Sequence, residues 1–469
     1  MKKIKKLFIV SLLVLLFLPH LNFLVGMTSS SKEVISNEEK NQPSKNYWKA
    51  VAECFSLNIG VWAYDWYVKK AEWANISLYS IKKNIKMGYI WDDNSFMANQ
   101  GDHPFHGAMY WAAARTNGLS FWESVIFPFW GSFFWEVVLE TNRPSTNDSI
   151  STTLGGIFLG ETLFRLANLI IDEQARGIER IGRECFAFLV NPMVGIDRLI
   201  SGKSWKRQAR NGIKHFYDFQ VPIRLLGQKD SIGISLTYKN AWAYPSGSWI
   251  EPYDYFDFDI RLTLNRKKRP KIERLLSEGL LFGKKDSFSK NCFVLWGIFG
   301  NFDYFMMPAN RISSIGLGPG LLSELKLNHG WFLNNTLTMS GIFGGSTSSF
   351  VLRFGENIFK QYNETHQFGS KEDPYYLGPG FLGKLGLEIG NEKIGSIESN
   401  IYCHWVKSIF GTSAKEQVAI VNFLAKVKIS RWCYLGIERE YLIRKGFYRH
   451  YDPLVNTNKN FSFYLSLNF

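Results

Sequence analysis

From about residue 213 to its end, this 469-residue chain repeats with period two. Phe256, Phe258, Ile260, Leu262 and Leu264 alternate with Asp257, Asp259, Arg261 and Thr263. Ala419, Val421, Phe423, Ala425, Val427 and Ile429 alternate with Ile420, Asn422, Leu424, Lys426, Lys428 and Ser430. Successive side chains of a strand point to opposite faces, so each such segment has one apolar and one polar side. Similar segments can be drawn near 217–225, 231–242, 291–300, 331–341, 349–358, 382–389, 395–406 and 433–444. With turn signals between them they predict an antiparallel sheet of roughly twelve strands. Leu317-Gly318-Pro319-Gly320 returns as Leu377-Gly378-Pro379-Gly380, which reads as two similar turns.

A soluble β-sandwich and a transmembrane barrel both use such strands. The tail favours the barrel. Phe461 to Phe469 alternates strictly and closes on an aromatic, resembling the C-terminal assembly signal of bacterial outer-membrane β-barrels, with Phe469 as the signal residue. Mean hydropathy of −0.12 is too polar for a helical membrane bundle but ordinary for a barrel whose strands are half wet. The aromatic share of 16% suits interfacial girdles. At the other end, Lys2 to Lys6 and the apolar run from Leu7 to Val25 read as a secretory signal peptide over 1–26. A disordered spacer is expected over 27–46, then a helical domain over 47–210, in the periplasm or plugging the lumen, and a barrel over 211–469. The expected class is α+β: a helical domain followed by an antiparallel transmembrane barrel of about 12 strands.

The formal charge of +14 places Lys on solvated turns, with anionic outer-membrane lipids and lipopolysaccharide phosphates as the partners it would suit. An exported barrel would also meet the barrel assembly machinery. Nucleic acid is not an expected partner behind a signal peptide. Five scattered Cys without a CxxC pair indicate neither a zinc site nor a disulfide framework.

Any chemistry must lie in the helical half. Ser132, Glu136 and Glu140 fall at i, i+4 and i+8 of a helix expected over about 121–141. Ser145 and Asp148 have the form of a capping box, so a second helix should start there. Small residues Thr152, Gly156 and Gly160 should let another helix approach closely. The two helices read as an antiparallel hairpin. Three readings of its polar residues stand side by side. The first is a structural cluster of Asp93, Arg115, Glu123, Asp148 and Glu161. The second is a metal site of His103, His106 and Glu140, with Glu136, Asp92 or Asp93 as further donors. The third is acid–base hydrolysis by His106 and Glu136, with Ser124 or Ser132 as nucleophile but no G-x-S-x-G elbow. The residues specify no organic cofactor.

The same segment resembles a family of uncharacterised bacterial proteins known only as a domain of unknown function. The shared pattern runs through His103-Pro104-Phe105-His106-Gly107, Ala114-Arg115 with Asn117-Gly118, and Trp122-Glu123-Ser124. It continues through Gly131-Ser132 with Trp135-Glu136, Pro144-Ser145 with Asn147-Asp148, Gly155-Gly156, Gly160-Glu161, and Asn191-Pro192 with Gly195 and Arg198. The resemblance covers about 48–205. It implies an exported, outer-membrane protein and no known activity. A looser likeness to VanZ-like helical proteins rests on Gly131 and Glu136, with the carboxylate displaced by one position.

Overall fold

A computed structural model of the chain describes residues 44–91, 95–206, 231–239, 249–265, 271–307, 310–347, 375–409, 414–430, 433–448 and 451–467. The expected signal peptide, nearly all of the spacer, Asp92, Asp93, the segments near 217–225 and 349–358, and Phe469 lie outside the described residues.

Helices come first: α1 (Tyr47–Tyr64), α2 (Leu78–Met87), α3 (His103–Thr116), α4 (Phe121–Ser124), α5 (Ile126–Phe134), α6 (Thr146–Ile150), α7 (Gly156–Ile170), α8 (Gly177–Val190) and α9 (Pro192–Ile200). The strands follow: β1 (Ser231–Lys239), β2 (Trp249–Ile250), β3 (Phe256–Asn265), β4 (Lys271–Ser289), β5 (Cys292–Met307), β6 (Asn310–Lys326), β7 (Trp331–Thr347), β8 (Tyr376–Asn391), β9 (Gly395–Lys407), β10 (Ala414–Lys428), β11 (Cys433–Tyr448) and β12 (Tyr451–Leu467). They form one 12-stranded sheet in chain order, except that the two-residue β2 pairs with β4 and lies off the path. Every step of the path is antiparallel, as expected.

The alternation is resolved in an unusual sense: the charged residues are inside, with some apolar ones among them, and the exposed outer face is apolar. On β11, Glu438, Glu440, Leu442 and Arg444 are buried, while Leu435, Ile437, Ile443 and Phe447 are exposed. On β10, Glu416, Val418, Ile420, Asn422 and Leu424 are buried while Phe423 and Val427 are exposed. The buried set reaches across the sheet. Arg261 of β3 meets Glu438 of β11 at 2.6 Å, and Lys384 of β8 meets Asp303 of β5 at 2.8 Å and Glu278 of β4 at 3.1 Å. Leu276, Phe305 and Ile312 pack against Val418, Ile420 and Leu442. Strands so distant along the path touch only if the sheet curls into a barrel-like shell with its polar face inward. Thr237 of β1 and Tyr464 and Ser466 of β12 line one cavity of about 650 Å³ within it.

Apart from the two-residue β2, two strands were not legible from the pattern, and both have the same cause. On β4, Leu275 and Leu281 pack outward against the helices, while Leu276 and Leu280 face in, so both faces are apolar and period two is erased. On β6, Ile315 lies in the helical core and Ile312 in the interior cluster. The two Leu-Gly-Pro-Gly segments are not turns. They lie within β6 and β8, and Pro319 and Pro379 sit where the ladder to β7 is interrupted. Proline, lacking an N–H, is tolerated in a strand at such breaks. A Cβ on Gly318 would lie 2.0 Å from the Met339 carbonyl oxygen, so glycine there permits the close approach of β7.

The helical domain is not a lumen plug. It rests on the outer wall. Phe158 of α7 packs over Gly300 of β5, and Thr162 is 2.6 Å from Ser277 of β4. Phe96 stacks on Tyr304, and Arg165 meets Asp254 ahead of β3 at 3.0 Å. Ser277, Gly300 and Tyr304 are the outward residues of strands whose neighbours Glu278, Asn301 and Asp303 are buried within the shell. The apolar face drawn for β3, Phe256 and Phe258, is covered by helices in this way.

Candidate functional site

The polar residues of the helical half are sorted by one close helix crossing. α7 runs beside α3, not beside α5 as the expected hairpin requires. A Cβ on Gly107 would lie 1.9 Å from the Thr152 carbonyl oxygen, and one on Gly156 would lie 2.6 Å from the Gly107 carbonyl carbon. Gly160 lies under Trp111, and Gly155 against Pro104. The small-residue spacing was legible; its partner helix was not. The crossing brings the start of α3 against the segment that contains α6.

At that crossing His103, Glu136 and Asp148 converge. They are the group of three or more metal-capable side chains found among the described residues, with one donor atom of each within 4.8 Å of the others. His103 Nε2 is 3.3 Å from Asp148 Oδ2, and His103 Nδ1 is 3.1 Å from Thr152 Oγ1. Glu136 Oε2 accepts the Ser145 backbone N–H at 2.7 Å. The Ser145 hydroxyl accepts the Asp148 N–H at 3.1 Å, so α6 starts at the expected cap. Only half of the capping box forms: Glu136, rather than the Asp148 carboxylate, takes the Ser145 N–H. Asn147 Nδ2 reaches Asp148 Oδ1 at 3.2 Å and Tyr375 of the barrel at 2.5 Å. Thr152 and Tyr375 extend the network beyond the expected set; the four-residue step from Asp148 to Thr152 is the signal that links Thr152 to it.

Two residues expected here are engaged elsewhere. α5 ends at Phe134 and passes through a π-helical turn, Trp135–Leu139, into an extended Glu140. The i, i+4, i+8 face therefore stops at Glu136, and the Glu140 carboxylate accepts the Trp135 indole N–H at 2.6 Å. Earlier in that stretch Pro128, which has no N–H, leaves the Ser124 carbonyl without a helical donor, and regular helix is interrupted at Val125. His106 lies one turn beyond His103, but its ring packs on Tyr110 at 4.7 Å and against Trp135 at 5.3 Å. Burial, and then the nearby His103, push its pKa down to about 3, so the ring is neutral. Of the nucleophile candidates, Ser124 donates to the Ser120 carbonyl at 2.8 Å and Ser132 is buried.

The remaining expected polar residues belong to separate sites. Glu161 is 0% exposed and accepts from Trp111 Nε1 at 2.9 Å, Arg115 Nε at 2.8 Å and Arg165 Nε at 2.7 Å. Burial alone would raise its pKa; Arg115 and Arg165 outweigh that and hold it below the usual carboxylate range. Glu161, expected in the structural cluster, is paired and buried. Glu123 closes a capping box on Ser120 and receives Lys45 at 2.8 Å and Tyr47 at 2.6 Å. Cys54, buried near this core, has its thiol pushed up to about 12 by burial. The described cysteines are free.

The arrangement can do two things. It ties three helical segments and the barrel through one hydrogen-bonded network. Its imidazole and two carboxylates also form a donor set of the kind that borderline divalent cations accept. No curated protein and no solved structure matches the chain. The VanZ-like likeness gains no support. Residues 88–193, which contain this whole network apart from Tyr375, match the family model described as Domain of unknown function (DUF3943).

Proposed function

We propose that the chain is an outer-membrane β-barrel protein with a structural role in the cell envelope, its helical domain held against the outside of the barrel. The observation that carries this reading is the inside-out wall: Phe423, Ile437, Ile443 and Phe463 face outward while Glu416, Glu438, Glu440 and Arg444 are buried inward. In water that arrangement exposes the wrong face; in lipid it is the required one. An open channel is a weaker reading, because Arg261–Glu438, Lys384–Asp303 and the Phe305–Val418 cluster bridge the interior. The net charge of +14 suits anionic headgroups and lipopolysaccharide phosphates as partners. The test of the wall is directional. Phe423→Lys, facing out near the middle of β10, should cost about 2–4 kcal/mol of insertion and lower the membrane-inserted fraction. Val421→Thr, a milder change on the same face, should leave it near the parent level. Normal insertion of Phe423→Lys would contradict the reading.

A second reading is favoured by the convergence of His103, Glu136 and Asp148. As a divalent-metal site it would support an envelope lipid or cell-wall hydrolase. Metal analysis of the purified full chain decides this. Stoichiometric metal that disappears in His103→Ala and Asp148→Asn supports it; a metal-free parent after incubation with zinc or manganese leaves the cluster as a helix tie.

A further inference from the structure

A chain of aromatic contacts leads from the outer wall of the barrel onto the helical domain. Trp249 of β2 packs against Phe282 at 5.6 Å and Trp296 at 6.5 Å, and all three are exposed on the outer wall. Four residues later Tyr253 stacks on Phe121, with ring centres 5.7 Å apart, and Phe121 meets Trp122 at 5.0 Å. From Trp122, the residues Ile126, Trp130 and Phe133 follow at i+4, i+8 and i+11, on one side of α4 and α5. Phe129 flanks them, packed edge-on to Trp130 at 5.5 Å. All five are exposed, Trp130 by 55%.

No Asp, Glu, Lys or Arg occurs from Val125 to Trp135. A contiguous bare aromatic stripe of this kind marks an interaction surface, not an ordinary wet one. α5 has 9 residues, and no described helix is long and apolar enough to cross a membrane. The stripe therefore can enter lipid only in the plane of the surface. Trp-rich, charge-free helix faces do this at the headgroup–acyl boundary. The docking geometry agrees. The helices cover the outward residues Ser277, Gly300 and Tyr304, whereas Phe282, Trp296 and Ile298, further along the same strands, are left bare. The helical domain thus begins where the apolar band of those strands ends.

We propose that the stripe of Trp122, Ile126, Phe129, Trp130 and Phe133 inserts into the lipid monolayer beside the barrel. The helical domain is then an in-plane anchor, continuous with the barrel's apolar band, and its occupant is the acyl-chain boundary beneath the headgroups. This rests on the barrel reading, so the test must separate the two. The photo-crosslinking residue p-benzoylphenylalanine is placed in the full chain at Trp130, at Phe129, at the outward Phe423 or at the inward Asn422. Each protein is reconstituted in vesicles of phosphatidylethanolamine and phosphatidylglycerol carrying a clickable phospholipid, and heat-modifiable migration verifies folding. Lipid adducts are expected at Trp130, Phe129 and Phe423 and not at Asn422. Adducts at Phe423 without any at Trp130 or Phe129 overturn the anchor and leave the barrel reading standing. Their absence at all three overturns both. Adducts of twice the chain mass from Trp130, in place of lipid, assign the stripe to a second copy and also overturn the anchor.

Discussion

Glu161 anchors a buried charge network in the helical core. It is buried, ionised and held by two guanidiniums and an indole. Removing one partner of a buried pair leaves an uncompensated charge, at a typical cost of about 3–5 kcal/mol. Glu161→Gln should therefore lower stability by roughly that amount, measured by denaturant unfolding. Its folded pKa lies below its ordinary value, so its contribution is present at neutral pH and is lost as the pH falls through the acidic range below the unfolded value. His106 acts in the same direction, starting at a higher pH. It too has a lowered folded pKa, about 3 against 6.5, but its neutral form is the folded one. Between those values the unfolded chain binds the extra proton. Stability should fall below pH 6.5 by at most about 1.4 kcal/mol per pH unit. His106→Phe, which keeps a ring against Tyr110 and Trp135, should flatten that slope in parallel unfolding series at pH 7.5 and 5. An unchanged slope would show that another group carries it.

At the scale of elements, the crossing of α3 and α7 is set by backbone proximity. Gly107→Ala should destabilise the helical domain by about 1–3 kcal/mol through overpacking, although alanine favours a helix elsewhere. Thermal unfolding of the variant checks it; a stabilised variant would mean the helices can separate without loss. The sequence pattern made the cap at Ser145 and the small-residue spacing visible because both are local. It could not name the partner helix: α5 is the more apolar of the two, and the close approach of Gly107 on α3 to Thr152 and Gly156 is a tertiary contact. Glu140 was misplaced for a similar reason: helical periodicity does not report the π-helical turn that ends at Leu139. What converged instead, His103 with Glu136 and Asp148, draws on three segments and is fixed only by tertiary packing.

Across the whole molecule, period two revealed the strands wherever one face stays polar, as on β10 and β11. It failed on β4 and β6, where the helices add a second apolar layer, and Pro319 and Pro379 disguised strand interiors as turns. Of the two placements expected for the helices, periplasm or lumen, the packing of α7 on the outer wall speaks against the lumen, whose interior Arg261, Glu438, Lys384 and Phe305 bridge. The helices go outside because the outward faces of β3 to β5 offer Phe256, Phe258, Leu275, Leu281 and Phe302 for burial. Among the described residues, Met339, Phe381, Phe423, Ile437 and Phe463 on the outward faces of β7 to β12 stay exposed, and lipid is the solvent that suits them. The most direct test is fractionation of cell envelopes, with urea extraction and migration of heated and unheated samples compared. The account predicts that the chain stays with the outer membrane through urea and migrates differently unless boiled. Release by urea into a soluble, heat-insensitive form would contradict it.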